Sequence, residues 1–208
     1  MKIITLSREF GSGGREIAKR LADELHLAYY DKEILMAIAE QSGLDIRYIK
    51  DTLDSGALHS YPISFARTFS RVSTFETNTQ TILAAQHRFI REVGKKGDCI
   101  IVGRGADSVL AEYNPFRIFV YADNATKVRR CHERDVDDDA NVPDKELLKR
   151  FSRIDRARAE NHNFISETRW GDKNGYDLCI NTSGVKTIKS IVPSIAEYIE
   201  KWYEGHDN

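Results

Sequence analysis

The chain has 208 residues, of which 41% are hydrophobic and 30% are charged, and this balance excludes a disordered or fibrous protein. Its 31 lysine and arginine residues nearly match its 32 aspartate and glutamate residues, and the net charge of -1 argues against a general nucleic-acid or membrane surface. We therefore expect a single domain over residues 1–208 whose partners include neither a nucleic acid polymer nor a membrane.

Two features predict a cytoplasmic location. No apolar run approaches the roughly 20 residues that cross a bilayer, and the first apolar run is too short for a secretory signal. The three cysteines, Cys99, Cys131 and Cys179, are too few and too scattered for a disulfide framework or a zinc site. Two of them lie in apolar, strand-like runs, which predicts buried thiols.

Short apolar runs alternate with segments of helical spacing along the chain. The apolar runs predict strands at residues 3–6, 27–30, 99–102, 116–121 and 177–181. The helical spacing predicts helices at residues 17–25, 32–41 and 82–93, after residue 123, from residue 143, and at residues 188–202. Gly43, and then Gly94 or Gly97, are predicted helix ends, and Asp123 is a predicted N-cap.

This order of elements predicts the fold class. Five strands alternating with helices indicate an α/β domain whose parallel sheet is covered by helices on both faces. Residues 45–78 show no sustained period, and we interpret them as irregular helices and loop. Parallel sheets bind ligands beyond the carboxyl ends of their strands, so the loops at those ends are the place to look for a site.

A glycine-rich turn, Gly11-Ser12-Gly13-Gly14, separates the first predicted strand from the first predicted helix. Glycines let main-chain N–H groups approach a phosphate closely, and the helix N-terminus behind them adds a partial positive charge. The full P-loop pattern, which requires a lysine followed by a hydroxyl residue, is absent. The turn therefore predicts phosphate binding, and the alternative is a tight turn without a ligand.

Residues 4–25 resemble the start of the nucleoside monophosphate kinases, and the chain is most similar to the cytidylate kinase-like family. The similarity continues at Asp155-Arg156-Ala157-Arg158, at Trp170-Gly171-Asp172 and at Tyr176-Asp177-Leu178-Cys179. The resemblance implies a P-loop kinase fold, a three-layer sandwich around a five-stranded parallel sheet with a helical lid. It also implies transfer of the γ-phosphoryl group of ATP to a nucleoside monophosphate, with CMP or dCMP expected first and with Mg²⁺ bridging the phosphates.

The resemblance assigns ATP phosphates to residues 11–16, which include Ser12, and adenine contacts to residues 182–185. The lysine of the family falls on Gly14, and the hydroxyl residue falls on Glu16. Arg15 is the nearest cation, and we expect it to act as the catalytic substitute, although arginine and lysine are not interchangeable. Glu16 is expected to hold a metal ion or to orient Arg15.

Four residues are predicted to bind the acceptor. Arg104 and Asp107 follow the central strand, where the family has an Asp-Gly-Arg-Asp segment whose two carboxylates are replaced here by Val102 and Gly105. A salt bridge for Arg104 and an N-cap for Asp107 are the alternatives. Asp31 follows the second strand, near the expected acceptor entrance, with an N-cap again as the alternative. The resemblance adds Asp155 to this set.

Arginines in residues 129–165 match the part of these kinases that closes over the transferring phosphoryl group. Arg130 and Arg158 are the predicted catalytic members, because mobile cations stabilise charge once the substrates are bound. An ordinary solvated helix is the alternative. Residues 45–78 occupy the place of the acceptor-binding insertion, and His87, His132 and His162 are predicted to have no role.

The leading hypothesis is therefore an ATP-dependent nucleotide kinase acting on a small phosphorylated acceptor. The segment 45–78 and the replaced carboxylates leave room for a P-loop kinase with another small-molecule acceptor. The missing lysine leaves room for a nucleotide-binding protein with little catalysis.

Overall fold

The computed structural model of the chain describes residues 1–54, 74–133 and 142–206. Its centre is a five-stranded sheet with the strand order β2-β3-β1-β4-β5, and every neighbouring pair is parallel. The strands are β1 Ile3–Arg8, β2 Ala28–Tyr30, β3 Cys99–Val102, β4 Phe116–Tyr121 and β5 Leu178–Asn181. All five strands confirm the prediction from the apolar runs.

The described ranges contain eight α-helices, and six of them cover the two faces of the sheet. They are α1 Gly14–Glu24, α2 Lys32–Ser42, α3 Ile46–Asp54, α4 Thr74–Lys96, α5 Ala106–Val109, α6 Asn124–Glu133, α7 Asp144–Ile165 and α8 Val192–His206. Helices α1 and α8 bury their apolar sides against one face of the sheet, and α2 to α5 bury theirs against the other. The remaining two, α6 and α7, pack against each other. The predicted α/β fold with two helical layers is thus confirmed.

Local signals explain where several helices begin and end. Asp123 accepts a hydrogen bond from the N–H of Thr126 at 2.7 Å and so caps α6 as predicted. Gly43 ends α2 with a φ of +68°, a conformation that glycine adopts at little cost. Helix α4 runs past Gly94 and ends before Gly97. Gly94 is required for packing rather than for ending the helix, since a Cβ there would lie 2.4 Å from Leu110.

Two predictions need correction. Residues 46–54 form a regular helix rather than an irregular one, and α4 already begins at Thr74, whereas residues 55–73 lie outside the described residues. Cys99 and Cys131 are buried, but Cys179 is exposed because β5 is an edge strand. No helix in the described part of the chain is long and apolar enough to cross a membrane.

Candidate functional site

The glycine turn joins β1 to α1 at the centre of the sheet. Gly11 and Gly13 have φ values of +75° and +83°, and Gly13 is the N-cap of α1. Ser12 is fully buried, and its hydroxyl donates to the carbonyl of Glu9 at 2.8 Å, which closes the turn. Since the first N–H groups of a helix have no partner within it, the turn can accept an anion.

Helices α6 and α7 hold the turn from outside. Asp155 of α7 accepts a hydrogen bond from the N–H of Phe10 at 2.7 Å, and Arg158 donates to the carbonyl of Arg8 at 3.0 Å. Lys127 of α6 is buried and pairs with Glu9, with its Nζ 4.0 Å from Asp155. Burial raises the pKa of the Asp155 carboxyl above its ordinary value. Asp155, predicted to bind the acceptor, therefore borders the glycine turn.

Arg130 connects the glycine turn to the segment that follows β5. It is buried, and its Nη1 donates to the Ser12 carbonyl and the Thr182 hydroxyl, both at 2.9 Å. Its Nη2 donates to the Thr182 carbonyl at 3.0 Å. The structure thus places Arg130 where it fixes the shape of the turn, and a contact with the transferring phosphoryl group stays a prediction.

The loop after β3 has an unusual backbone. Gly103, Arg104 and Gly105 have φ values of +72°, +63° and +63°, and only the arginine among them is penalised for that conformation. The loop is fastened at both ends: Gly103 donates to the Leu6 carbonyl at 2.9 Å, and the amide nitrogen of Gln86 donates to the Arg104 carbonyl at 3.2 Å. Such strain at a strand end is typical of a binding site.

Arg8, the last residue of β1, was missed by the sequence analysis. Its guanidinium lies between the glycine turn and the loop after β3, 3.7 Å from Asp31. Burial is the main cause that lowers the pKa of Arg8 to about 9, and the charges of Arg158, Arg104 and Arg15 lower it further. Asp31 opposes this shift but does not cancel it. A charged residue that ends a buried strand directly before a glycine turn is the signal that could have found it.

Arg15 points away from the glycine turn. Its Nε and Nη2 both lie 2.5 Å from Asp31, and its side chain is 55% exposed. Asp31 is the N-cap residue of α2, but its side chain makes no capping hydrogen bond and pairs with Arg15 instead. Glu16 accepts a hydrogen bond from Arg20 at 2.8 Å rather than from Arg15. A phosphate role for Arg15 and a metal role for Glu16 stay predictions.

Asp107 and His162 form a buried pair with 2.9 Å between the Asp107 carboxylate and Nε2 of His162. The N-cap of α5 is Gly105, so the capping alternative for Asp107 is wrong. The pair joins α5, next to Arg104, to α7, which also holds the glycine turn. His162 is therefore paired with Asp107, which lies 55 residues earlier in the chain and could not be identified from the residues around His162.

The comparisons with known proteins agree with this geometry. Residues 3–184 match the model of the cytidylate kinase-like family. The chain belongs to the cytidylate kinase-like family. No curated protein matches the sequence.

Solved structures support the same fold. An uncharacterized protein from Eubacterium ventriosum ATCC 27560 is 30% identical over 96% of this chain and 99% of that chain, with a TM-score of 0.67. A shikimate kinase from Bacteroides thetaiotaomicron is 15% identical, covers 95% of this chain and 97% of its own, and has a TM-score of 0.56. A shikimate kinase from Acinetobacter baumannii, in complex with shikimate, is 11% identical over 95% and 92%, with a TM-score of 0.53. This member of the cytidylate kinase-like family has the P-loop kinase fold and is a phosphotransferase that acts on a nucleotide or another small molecule.

Proposed function

We propose that this protein transfers the γ-phosphoryl group of ATP to a nucleoside monophosphate, with CMP or dCMP as the preferred acceptor. The observation that carries the proposal is that the glycine turn and the Arg104 loop, each proposed to bind a phosphate, lie at the same end of two neighbouring strands. The glycine turn follows β1, the strained Arg104 loop follows β3, and these strands are neighbours in the sheet. A donor and an acceptor phosphate bound there would lie side by side, as phosphoryl transfer requires.

The glycine turn takes the phosphates of ATP in this proposal. Its N–H groups and the N-terminus of α1 bind the oxygens, and adenine lies against residues 182–185. Arg130 supports this end, because it joins the turn to Thr182. In this proposal, Arg130 holds the turn in the shape that receives the phosphates of ATP.

Magnesium fits this arrangement as an ion brought in by ATP. Among the described residues, no group of three or more side chains that could hold a metal is present. Glu9 and Asp155 border the turn and offer the oxygen ligands that Mg²⁺ prefers, and one or two such ligands suffice when phosphates supply the rest. When bound, the ion would offset the negative charge of the phosphates.

The acceptor is proposed to bind beside Arg104. This arginine lines a narrow pocket together with Leu53, Gln86, Asn161 and Ile165. The amide oxygens of Gln86 and Asn161 are buried there without a hydrogen-bond partner among the described residues. They can accept hydrogen bonds from an amino group or a hydroxyl, and cytidine carries both. These two oxygens support an acceptor that carries hydrogen-bond donors.

The helices that flank the site complete the proposed mechanism. We propose that residues 129–165 close over the substrates and exclude water, and that residues 45–78 contribute to acceptor binding. Arg158 donates to the carbonyl of Arg8 beside the glycine turn, and its proposed role is to stabilise the charge of the transferring group. Catalysis then needs positive charge and position rather than a covalent intermediate.

The test is a panel of acceptors. The protein is incubated with Mg²⁺ and ATP together with CMP, dCMP, UMP, AMP or shikimate, and ADP formation is followed against a reaction without acceptor. Turnover with CMP or dCMP above the others is the expected result. Turnover only with shikimate would replace the proposed acceptor with a hydroxylated metabolite, which the structural likeness to shikimate kinases favours. ATP binding without turnover would support a binding protein instead.

A further inference from the structure

We propose that Arg8 replaces the missing P-loop lysine, supplying from the end of β1 the cation that contacts the phosphates between the glycine turn and Arg104. The inference rests on the proposed kinase function and names a residue of that same site. In a P-loop, the lysine at the start of the helix reaches the β- and γ-phosphates. Here that position is Gly14.

The first argument is space. A Cβ placed on Gly14 would lie 2.6 Å from Cβ of Arg8 and 3.1 Å from its Cγ. These atoms are close to the main chain and cannot move aside as the tip of a flexible side chain can. Because the contact begins at the Cβ of position 8, a lysine at position 14 is incompatible with Arg8, as it would be with any side chain there. The lysine of the P-loop pattern therefore cannot be restored while Arg8 is present.

The second argument is direction. A Cβ placed on Gly103 would lie 2.1 Å from Nη1 of Arg8, so the guanidinium reaches across to the loop after β3. Its stem passes Gly14 and its head passes Gly103. The positive charge therefore lies between the proposed donor and acceptor phosphates.

The third argument is unused binding capacity. Within the described residues, the Arg8 guanidinium makes no hydrogen bond and only the 3.7 Å ion pair with Asp31. Asp31 already has Arg15 at 2.5 Å, so Arg8 is not required to balance its charge. The Arg8 side chain remains 18% exposed, and its N–H groups can bind phosphate oxygens as a fork.

The experiment removes the positive charge at position 8 and, in a second variant, restores a lysine at position 14 at the start of α1. Arg8→Met removes the charge and keeps the stem, and we expect it to lower kcat/KM for ATP about 100-fold, with Arg8→Lys losing less. The double variant Arg8→Gly/Gly14→Lys has room for the lysine. Its kcat/KM for ATP should be about tenfold higher than that of its matched control, Arg8→Gly/Gly14→Ala. Arg20→Ala, on the outer side of α1, is the control for a lost arginine and should stay within about twofold.

Each outcome decides the proposal. Thermal unfolding of each variant first identifies those that are folded, and only they are compared. If Arg8→Met is as active as wild type, or the lysine double variant is no better than its alanine control, Arg8 is not the replacement cation. If wild type binds ATP but phosphorylates no acceptor, the proposed function fails alone, and Arg8→Met must still weaken ATP binding about tenfold in calorimetry for the Arg8 proposal to stand. If wild type binds no ATP, both fail.

Discussion

At the scale of single residues, Arg104 has a strained backbone conformation that distinguishes its effect on stability from its proposed effect on binding. A non-glycine residue at a φ of +63° costs free energy, and the protein keeps it between two glycines at the end of β3. Such a residue persists in a folded domain when its side chain is needed. Arg104 is therefore the position where removing a side chain should help folding and harm binding.

We expect Arg104→Gly to leave the free energy of unfolding unchanged or raise it by up to about 1 kcal/mol, because glycine relieves the strain. The same change should raise the KM of the acceptor at least about tenfold, because it removes the proposed contact of Arg104 with the acceptor phosphate. Urea unfolding and steady-state kinetics measure the two effects. Asn114→Gly, also at a positive φ but in the segment between α5 and β4, is the control and should leave KM unchanged. A destabilised Arg104→Gly protein with an unchanged KM contradicts the assignment.

Asp155 is the residue that fastens the glycine turn to α7. Asp155→Ala leaves the Phe10 N–H without its acceptor and removes the carboxylate that Arg158 and Lys127 face. We expect the free energy of unfolding to fall by about 2 kcal/mol, measured in urea. The control is Asp144→Ala on the same helix, an exposed partner of His132, which should cost less than about 1 kcal/mol. Equal losses in the two variants would show that the contacts of Asp155 with the glycine turn do not contribute to stability.

At the scale of elements, α7 lies close enough to the Arg104 loop to determine its position. A Cβ on Gly105 would meet Ile165 of α7 at 2.2 Å, and the buried pair of Asp107 and His162 joins the same two elements. Helix α7 also holds the glycine turn through Asp155. One helix therefore contacts both proposed phosphate sites.

The prediction at this scale compares two glycines with the same backbone. Gly105 and Gly43 have φ values of +63° and +68°, but nothing lies within 4 Å of a Cβ on Gly43. Gly43→Ala should lower the free energy of unfolding by about 1 kcal/mol from backbone strain alone. Gly105→Ala should lower it by the same amount and by about 1–3 kcal/mol more from overpacking. Urea unfolding measures both. If the two variants lose the same amount, α7 is not packed against the loop as described.

Elements were predictable from the sequence wherever the signal is local. The apolar run before Gly103 predicts β3, and Asp123 predicts the start of α6, because each depends on a few adjacent residues. Lys127 and His162 were not identified, because their partners Glu9 and Asp107 are more than fifty residues away. Arg8 was not predicted because the P-loop pattern places its cation after the glycines, whereas Arg8 precedes them.

At the scale of the whole molecule, α8 closes the fold by docking on the first strand. The Tyr203 hydroxyl donates to the Ile3 carbonyl at 2.6 Å and accepts from the Ile3 N–H at 3.0 Å. Burial raises the pKa of Tyr203 to about 12. The C-terminal helix and the N-terminal strand are thus joined through a hydroxyl that must keep its proton.

This contact predicts an alkaline limit to stability. Because the pKa of Tyr203 in the fold lies above the ordinary value of 10, its contribution is complete below pH 10 and is lost as pH rises through about 12. Tyr203→Phe should lower the free energy of unfolding by about 1 kcal/mol at pH 8, and the difference from wild type should shrink by pH 11. Urea unfolding at the two pH values measures it. A difference that is constant with pH would contradict the role of the hydroxyl.

The central proposal for this fold is that the turn between β1 and α1 binds phosphates through its main-chain N–H groups. The most direct measurement is a titration of isotopically labelled protein with ATP and Mg²⁺, followed by the amide NMR signals of Gly11, Gly13 and Gly14. These three signals are predicted to shift strongly and to saturate together, while the Gly43 signal at the far end of α2 stays in place. Glycine signals that do not move while ATP binds elsewhere would contradict the account.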